Sequence, residues 1–342
     1  MRIAWFRPAA TDDTDPLDDT AALIDELRPA HDIAVVTAHD AHDFVWQQHL
    51  RPRDLCVYEL DDTRAHSFIW AYLLNYPGVL LLRSTELAHL RVPLQASRVT
   101  VASNEGGAEL LRRMHPDIHV RVAPTGIAAI PPRRDTNGSA RFAVFDRRTR
   151  GGDLVRRAMQ RARDAGATFD EVRADAEAHM LAHCDVVIAP GWPPSRQAPA
   201  AVLAGMAAGK AVVTMEADAT AVWPALDPQT WRPRGLAVTD QPIAVTIDPR
   251  DEEHSLMLAI RRLSSDAASR AQLGAAAYAW WQSHATPAHA AAAWMPLLEE
   301  AVRLSPPPRP DDWPPQFSED GTTLTRTILS EFGLPTDTLA RW

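Results

Sequence analysis

Short apolar runs recur along the first half of the chain, at residues 2–6, 32–38, 55–60, 79–83, 98–103 and 120–124, and each reads as a β-strand. The run Val79-Leu80-Leu81-Leu82 has no polar alternation, as expected of a strand buried on both faces. Residues 19–28, 65–75 and 106–114 carry helical spacing between the strands, and Ser103 and Asn104 stand before the last as caps. Strands separated by helices predict a parallel sheet with helices on both faces.

The pattern breaks at residues 131–139, where PPRRDTNGS gathers prolines, charges and turn formers. It then resumes with a strand at 142–145, helices at about 152–166 and 170–183, and a strand at 185–189. A Pro-rich loop, a helix at 198–208 and a strand at 211–215 come next, followed by short strands near 236–238 and 244–247. A helix at 253–264 and an alanine-rich helical segment at 267–304 end this half. The expected organisation is an N-terminal α/β domain over 1–130, a second over 139–304, and a Pro-rich tail over 305–342. In that tail SPPPRPDDWPP forms a stiff connector to a short amphipathic helix at 323–332.

Composition narrows the classes. A chain of 342 residues suits two ordinary domains, and a net charge of -9 lacks the basic footprint of a nucleic-acid binder. The two cysteines, Cys56 and Cys184, stand in separate apolar runs and read as small buried hydrophobes in a reducing cytoplasm. No signal-peptide core or membrane-spanning run is present, which adds to the expectation of a cytoplasmic protein. Lys210 is the sole lysine, so arginine supplies the positive charge, and its planar fork suits phosphate or carboxylate. The pairs Asp12-Asp13, Asp18-Asp19 and Asp61-Asp62 read as solvated turns or caps, and no spacing reads as a metal site. Trp5, Trp46, Trp70, Trp280 and Trp281 occupy apolar positions and read as core.

Several ordered motifs carry a resemblance. Tyr58, Leu60, His66, Phe68 and Ile69, then Tyr76-Pro77-Gly78-Val79, are followed by Arg83-Ser84 and Leu87-Ala88-His89-Leu90. Residues 99–127 close the first half with Ser103 before a helix and end in Thr125-Gly126-Ile127. The second half contains Met206-Ala207-Ala208-Gly209-Lys210 with Ala211-Val212-Val213, then Leu226-Asp227-Pro228 and Trp231. Together these resemble the bacterial family 4 glycosyltransferases over residues 1–304. The resemblance implies a GT-B fold, two Rossmann-like parallel-sheet domains facing a cleft, with a nucleotide-sugar donor held mainly by the second. It further implies metal-independent, retaining transfer from a UDP- or GDP-sugar to a glycan or glycolipid, with no cofactor beyond the donor substrate.

Residue by residue, the resemblance assigns diphosphate binding to Arg147 and Arg150 in the loop Asp146-Arg147-Arg148-Thr149-Arg150. Trp192, in the loop Gly191-Trp192-Pro193-Pro194, reads either as a stacking residue for base or sugar or as a packed lid residue; by the resemblance Arg196 and Gln197 stand where the family's donor-binding glutamate falls, and Arg83 and His66 fall on the acceptor side. The departures are equally specific. Arg83-Ser84 replaces the family's His-Asp, and Arg196 and Ala204 replace its paired glutamates. Asp218 and Val222 replace a later Gly and Glu, and Arg7-Pro8-Ala9-Ala10 replaces the first Gly-rich loop. A strand and helix usual between Gly166 and Asp185 are expected to be shortened or absent. Two readings therefore stand: a divergent transferase, and a catalytically inactive GT-B relative that binds a sugar, nucleotide or partner. Docking of the tail on its own domain, a sister subunit or a partner stays open, as does peripheral membrane contact.

Overall fold

The computed structural model describes residues 1–9, 18–131, 139–145, 150–173, 177–191, 200–217, 220–234, 241–310, 313 and 323–335. Six parallel strands form the first sheet: β1 (Arg2–Phe6), β2 (Asp32–Val36), β3 (Leu55–Leu60), β4 (Val79–Leu82), β5 (Val99–Ala102) and β6 (Val120–Val122), in the order β2-β1-β3-β4-β5-β6. β3, β4 and β5 are buried at every position, which is why their sequences carry no alternation. One face is covered by α2 (Ala41–Leu50), α3 (Ile69–Asn75), α4 (Arg91–Ala96) and α5 (Glu105–Met114), through Phe44, Leu73, Leu94 and Leu111. Asn104 caps α5 by accepting from the Gly107 amide at 2.9 Å. The other face is covered by α1 (Asp19–Leu27).

The second sheet contains β7 (Ala140–Val144), β8 (Phe169–Val172), β9 (Val186–Ile188), β10 (Ala211–Met215), β11 (Ala225–Leu226), β12 (Pro233–Arg234) and β13 (Ala244–Ile247). Its order is β12-β11-β13-β10-β9-β7-β8, parallel except for β12 against β11. Around it pack α6 (Arg150–Asp164), α7 (Glu177–His183), α8 (Ala200–Ala207), α9 (Glu252–Ser265) and α10 (Ala267–His284).

Four expectations are corrected. Residues 170–183 are not one helix, and the strand thought missing between Gly166 and Asp185 is β8, followed by α7. β8 is a sheet-edge strand reading Phe-Asp-Glu-Val, so only Phe169 signals burial; it meets Phe142 edge-on at 5.1 Å. Trp46 is not core: it lies on the outer side of α2, 61% exposed, stacked on His49. The last helix of the alanine-rich segment, α11 (Pro287–Arg303), packs on the first sheet rather than the second, because Trp294, Leu297 and Leu298 fill the groove beside α1 and Trp294 meets Trp5 at 5.2 Å.

Of the tail, residues 305–310 and Trp313 are described. Arg309 donates to the Leu74 carbonyl at 3.1 Å, and Trp313 is buried in the first domain with its indole N–H on Gln95 Oε1 at 3.1 Å. α12 (Thr323–Glu331) turns Leu324 and Ile328 to solvent, as does Phe332 just beyond it. No helix among the described residues is long and apolar enough to cross a membrane.

Candidate functional site

In a parallel α/β sheet the carboxyl ends of the strands and the N-termini of the helices that follow open on the same edge, where ligands bind. On the first sheet that edge is lined by charge. Arg7 follows β1, Asp18 and Asp19 open α1, Glu59 is the penultimate residue of β3, Arg83 follows β4, and Thr125 lies beyond β6. Arg83 grips Asp19 with two bonds, Nη2 to Oδ1 at 2.9 Å and Nη1 to Oδ2 at 3.0 Å, and the Thr125 hydroxyl donates to the same carboxylate. Arg7 Nη2 lies 2.8 Å from both oxygens of Asp18, whose Oδ1 also accepts from the Ala21 amide at 2.8 Å as the α1 cap.

Glu59 sits between the two guanidinium groups, its Oε1 3.5 Å from Arg83 Nε and its Oε2 3.7 Å from Arg7 Nε. These are ion contacts rather than hydrogen bonds, and Glu59 Oε2 and Arg7 Nε are buried without a hydrogen-bond partner. Burial pushes the Glu59 carboxyl above the usual range, against the pull of Arg83 and Arg7. Burial also works against the charge on Arg83, but Asp19 and Glu59 outweigh it and hold the guanidinium firmly protonated.

His66 closes a 3-10 turn, Arg64–His66, that follows β3. It is 8% exposed, and its Nδ1 lies 2.7 Å from Thr63 Oγ1. Burial lowers its pKa; Asp61 opposes this, and the charges of Arg83 and Arg7 add to it, so the ring is neutral at pH 7. The structure thus brings Arg83 and His66 into one electrostatic neighbourhood. His89 is exposed.

Arg147, Trp192, Arg196 and Gln197 lie outside the described residues, and Arg150 opens α6 with its side chain also outside the description. Val222 is 84% exposed beyond β10. Lys210 is buried at the amino end of β10, on the edge of the sheet opposite the strands' carboxyl ends. On the carboxyl edge itself, Arg234 binds Asp227 at 2.6 Å and also Glu216, while Arg250 holds the Asp248 carboxyl down to about 2. Sequence reasoning missed Asp19, Glu59 and this second cluster. Arginines placed directly after buried strands were the available signal, since a guanidinium at such a position needs carboxylate partners. Among the described residues no three His, Cys, Asp or Glu side chains converge as a metal site would.

The two domains meet along residues 123–130. Trp294 donates to the Pro124 carbonyl at 2.9 Å, the Ile127 amide to the Ala285 carbonyl at 2.9 Å, and Trp281 to the Ile127 carbonyl at 3.1 Å. Ile127 and Ile130 share a core with Phe145 and Ala189, the residues just past β7 and β9, so this segment runs from the carboxyl edge of one sheet to that of the other.

No family model matches the chain, and no curated protein matches its sequence. Solved structures do match its fold. HepE of Anabaena, crystallised with UDP and glucose, aligns over 88% of this chain and 100% of its own at 14% identity and a TM-score of 0.58. A glycosyltransferase from Rickettsia africae ESF-5 aligns over 89% of this chain and 99% of its own at 10% identity and a TM-score of 0.57. A Listeria monocytogenes protein assigned as a UDP-N-acetylglucosamine 2-epimerase aligns over 90% and 98% at 9% identity and 0.51. With two parallel-sheet α/β domains and a match over 88% of its length, the chain is a GT-B-fold protein. At these identities the likeness establishes architecture; chemistry rests on the site.

Proposed function

We propose that this chain is a transferase that moves a sugar from a nucleotide diphosphate sugar to a hydroxyl of a glycan or glycolipid, on the cytoplasmic side. The observation that carries the reading is the match over 88% of the chain to HepE, a protein crystallised with UDP-glucose as well as with UDP and glucose. The edge cluster supports it, since Arg83 and His66 share the first-sheet edge where an acceptor would lie. Arg147 and Arg150 would meet the charge that grows on the leaving diphosphate, with Trp192, Arg196 and Gln197 completing the donor side. Calorimetric titration with UDP-, GDP- and ADP-sugars is the test. One donor should bind saturably, and Arg147→Ala should weaken it about tenfold, roughly 1.4 kcal/mol. Equal affinity in that variant removes the diphosphate assignment, and no binding across the panel removes the reading.

One observation favours the second reading, a GT-B relative that binds without transferring. Arg83, which stands where the family carries the histidine of its His-Asp pair, is already satisfied by Asp19 and Glu59. Donor binding without turnover over an acceptor panel would decide for it.

A further inference from the structure

Exposed apolar side chains are not scattered over this chain. Among the described residues nine large ones face solvent, and seven of them stand on two short helices: Val45, Trp46 and Leu50 on α2, and Leu324, Ile328, Phe332 and Leu334 on α12 and the turn that ends it. Leu324, Ile328 and Phe332 recur every four residues and so line one face. α12 is a finished element. Gly333 adopts a φ of +65°, its amide donates to the Ser330 carbonyl at 3.0 Å, and the Leu334 amide donates to the Leu329 carbonyl at 2.8 Å, which closes the helix. A helix of nine residues is marginal alone in water and draws its stability from packing of its apolar face. In the single chain that face is bare, and so is the stripe on α2.

We infer that the two stripes meet between copies: α12 of each chain packs on α2 of a second copy, in a two-fold dimer. The course of the tail supports this. Arg309 and Trp313 seat it on α3 and α4 of the first domain, over the core that also takes Phe44 from the inner side of α2. The nine residues from Pro314 to Thr322 span at most about 30 Å, so the partner has to lie against this same helical face. Seven side chains from each copy then leave water, on the order of the 1,000 Å² that a specific interface needs. A two-fold contact is self-complementary, so association closes at two copies. A lipid surface fits these stripes less well. α12 sets Arg326 against Glu331, α2 contains no lysine or arginine, and a chain of net charge -9 is repelled by anionic headgroups. Val45 to Leu50 is the half of α2 nearer the amino edge of the sheet, so the dimer leaves the candidate site open, and the proposal stands apart from the reaction performed there.

Light scattering coupled to gel filtration of the full chain should give twice the 37.7 kDa of one copy. Trp46→Glu and Phe332→Glu, each at a solvent-facing position, should keep the far-ultraviolet circular dichroism of the parent and weaken dimerisation at least about tenfold. A chain with both Val45→Cys and Ile328→Cys, treated with a short bismaleimide, should run as a linked pair on a denaturing gel, since Cys56 and Cys184 are buried and stay out of the reaction. Should a glutamate variant fail to fold, the cysteine pair carries the test. A monomeric full chain, a dimer unmoved by either glutamate, linkage of the cysteines within one chain, or a monomer that sediments with phosphatidylglycerol vesicles each overturns the proposal. Linkage within one chain would assign α12 to its own α2, and sedimentation would assign both stripes to a lipid surface.

Discussion

Arg83 ends a strand of four buried side chains, and a guanidinium at that depth has its charge met on two sides, by Asp19 and by Glu59. Such a network gives little net stability over an apolar one, but removing one partner strands the others. Arg83→Met should cost about 3–5 kcal/mol in urea unfolding, because Asp19 and Glu59 would lose their counter-charge in a desolvated site. The double variant Arg83→Met with Asp19→Asn should recover part of that loss, and simple additivity would mean the pair is not coupled. The sequence sets Arg83 directly after β4 and His66 in the turn after β3, on the carboxyl edge of the first sheet. It could not supply Asp19, which looks like half of a solvated pair, because its partner is 64 residues away and only the sheet brings them together.

At the scale of the element, strands with uninterrupted apolar runs were legible within one or two residues, since burial on both faces writes itself into composition. β8 was not legible, because an edge strand with one buried side chain carries neither the run nor the alternation. Packing also reverses a rule drawn from propensity alone. Gly274 lies inside α10, where alanine would ordinarily stabilise by about 0.8–1.0 kcal/mol. Here a Cβ would stand 2.3 Å from the Gly209 carbonyl oxygen, in the turn that links α8 to β10. The backbone there cannot yield as a side-chain tip would. Gly274→Ala should therefore destabilise by about 1–3 kcal/mol, measured as a lower urea midpoint at constant slope; a raised midpoint would mean α10 can lift off that turn.

For the whole molecule, the chain crosses between its two cores twice. It leaves the first sheet through residues 123–130 and returns as α11, and the two crossings touch at Gly126, whose φ of +78° brings it so close to the Thr286 carbonyl that a Cβ would lie 2.7 Å away. Thr286-Pro287 marks where a new helix begins, but both sides of residue 286 are rich in alanine and neither names the sheet it packs on; only the placement of Trp294, Leu297 and Leu298 assigns α11 to the first core. The consequence can be tested by two truncations. Removing residues 305–342 takes away Trp313 and the bond from Arg309 to Leu74, a loss on the scale of a buried tryptophan, about 3–5 kcal/mol. That shortened chain should keep its near-ultraviolet circular dichroism and melt earlier. Removing residues 287–342 also uncovers Trp5, Leu23 and Leu27 along one whole face of the first sheet. That chain should lose cooperative melting of the first domain and aggregate, while the second domain, whose cores draw nothing from α11, keeps its own transition. If the two truncations behave alike, α11 is an accessory on the first sheet; if only the longer one collapses, the return helix is a structural member of the N-terminal domain.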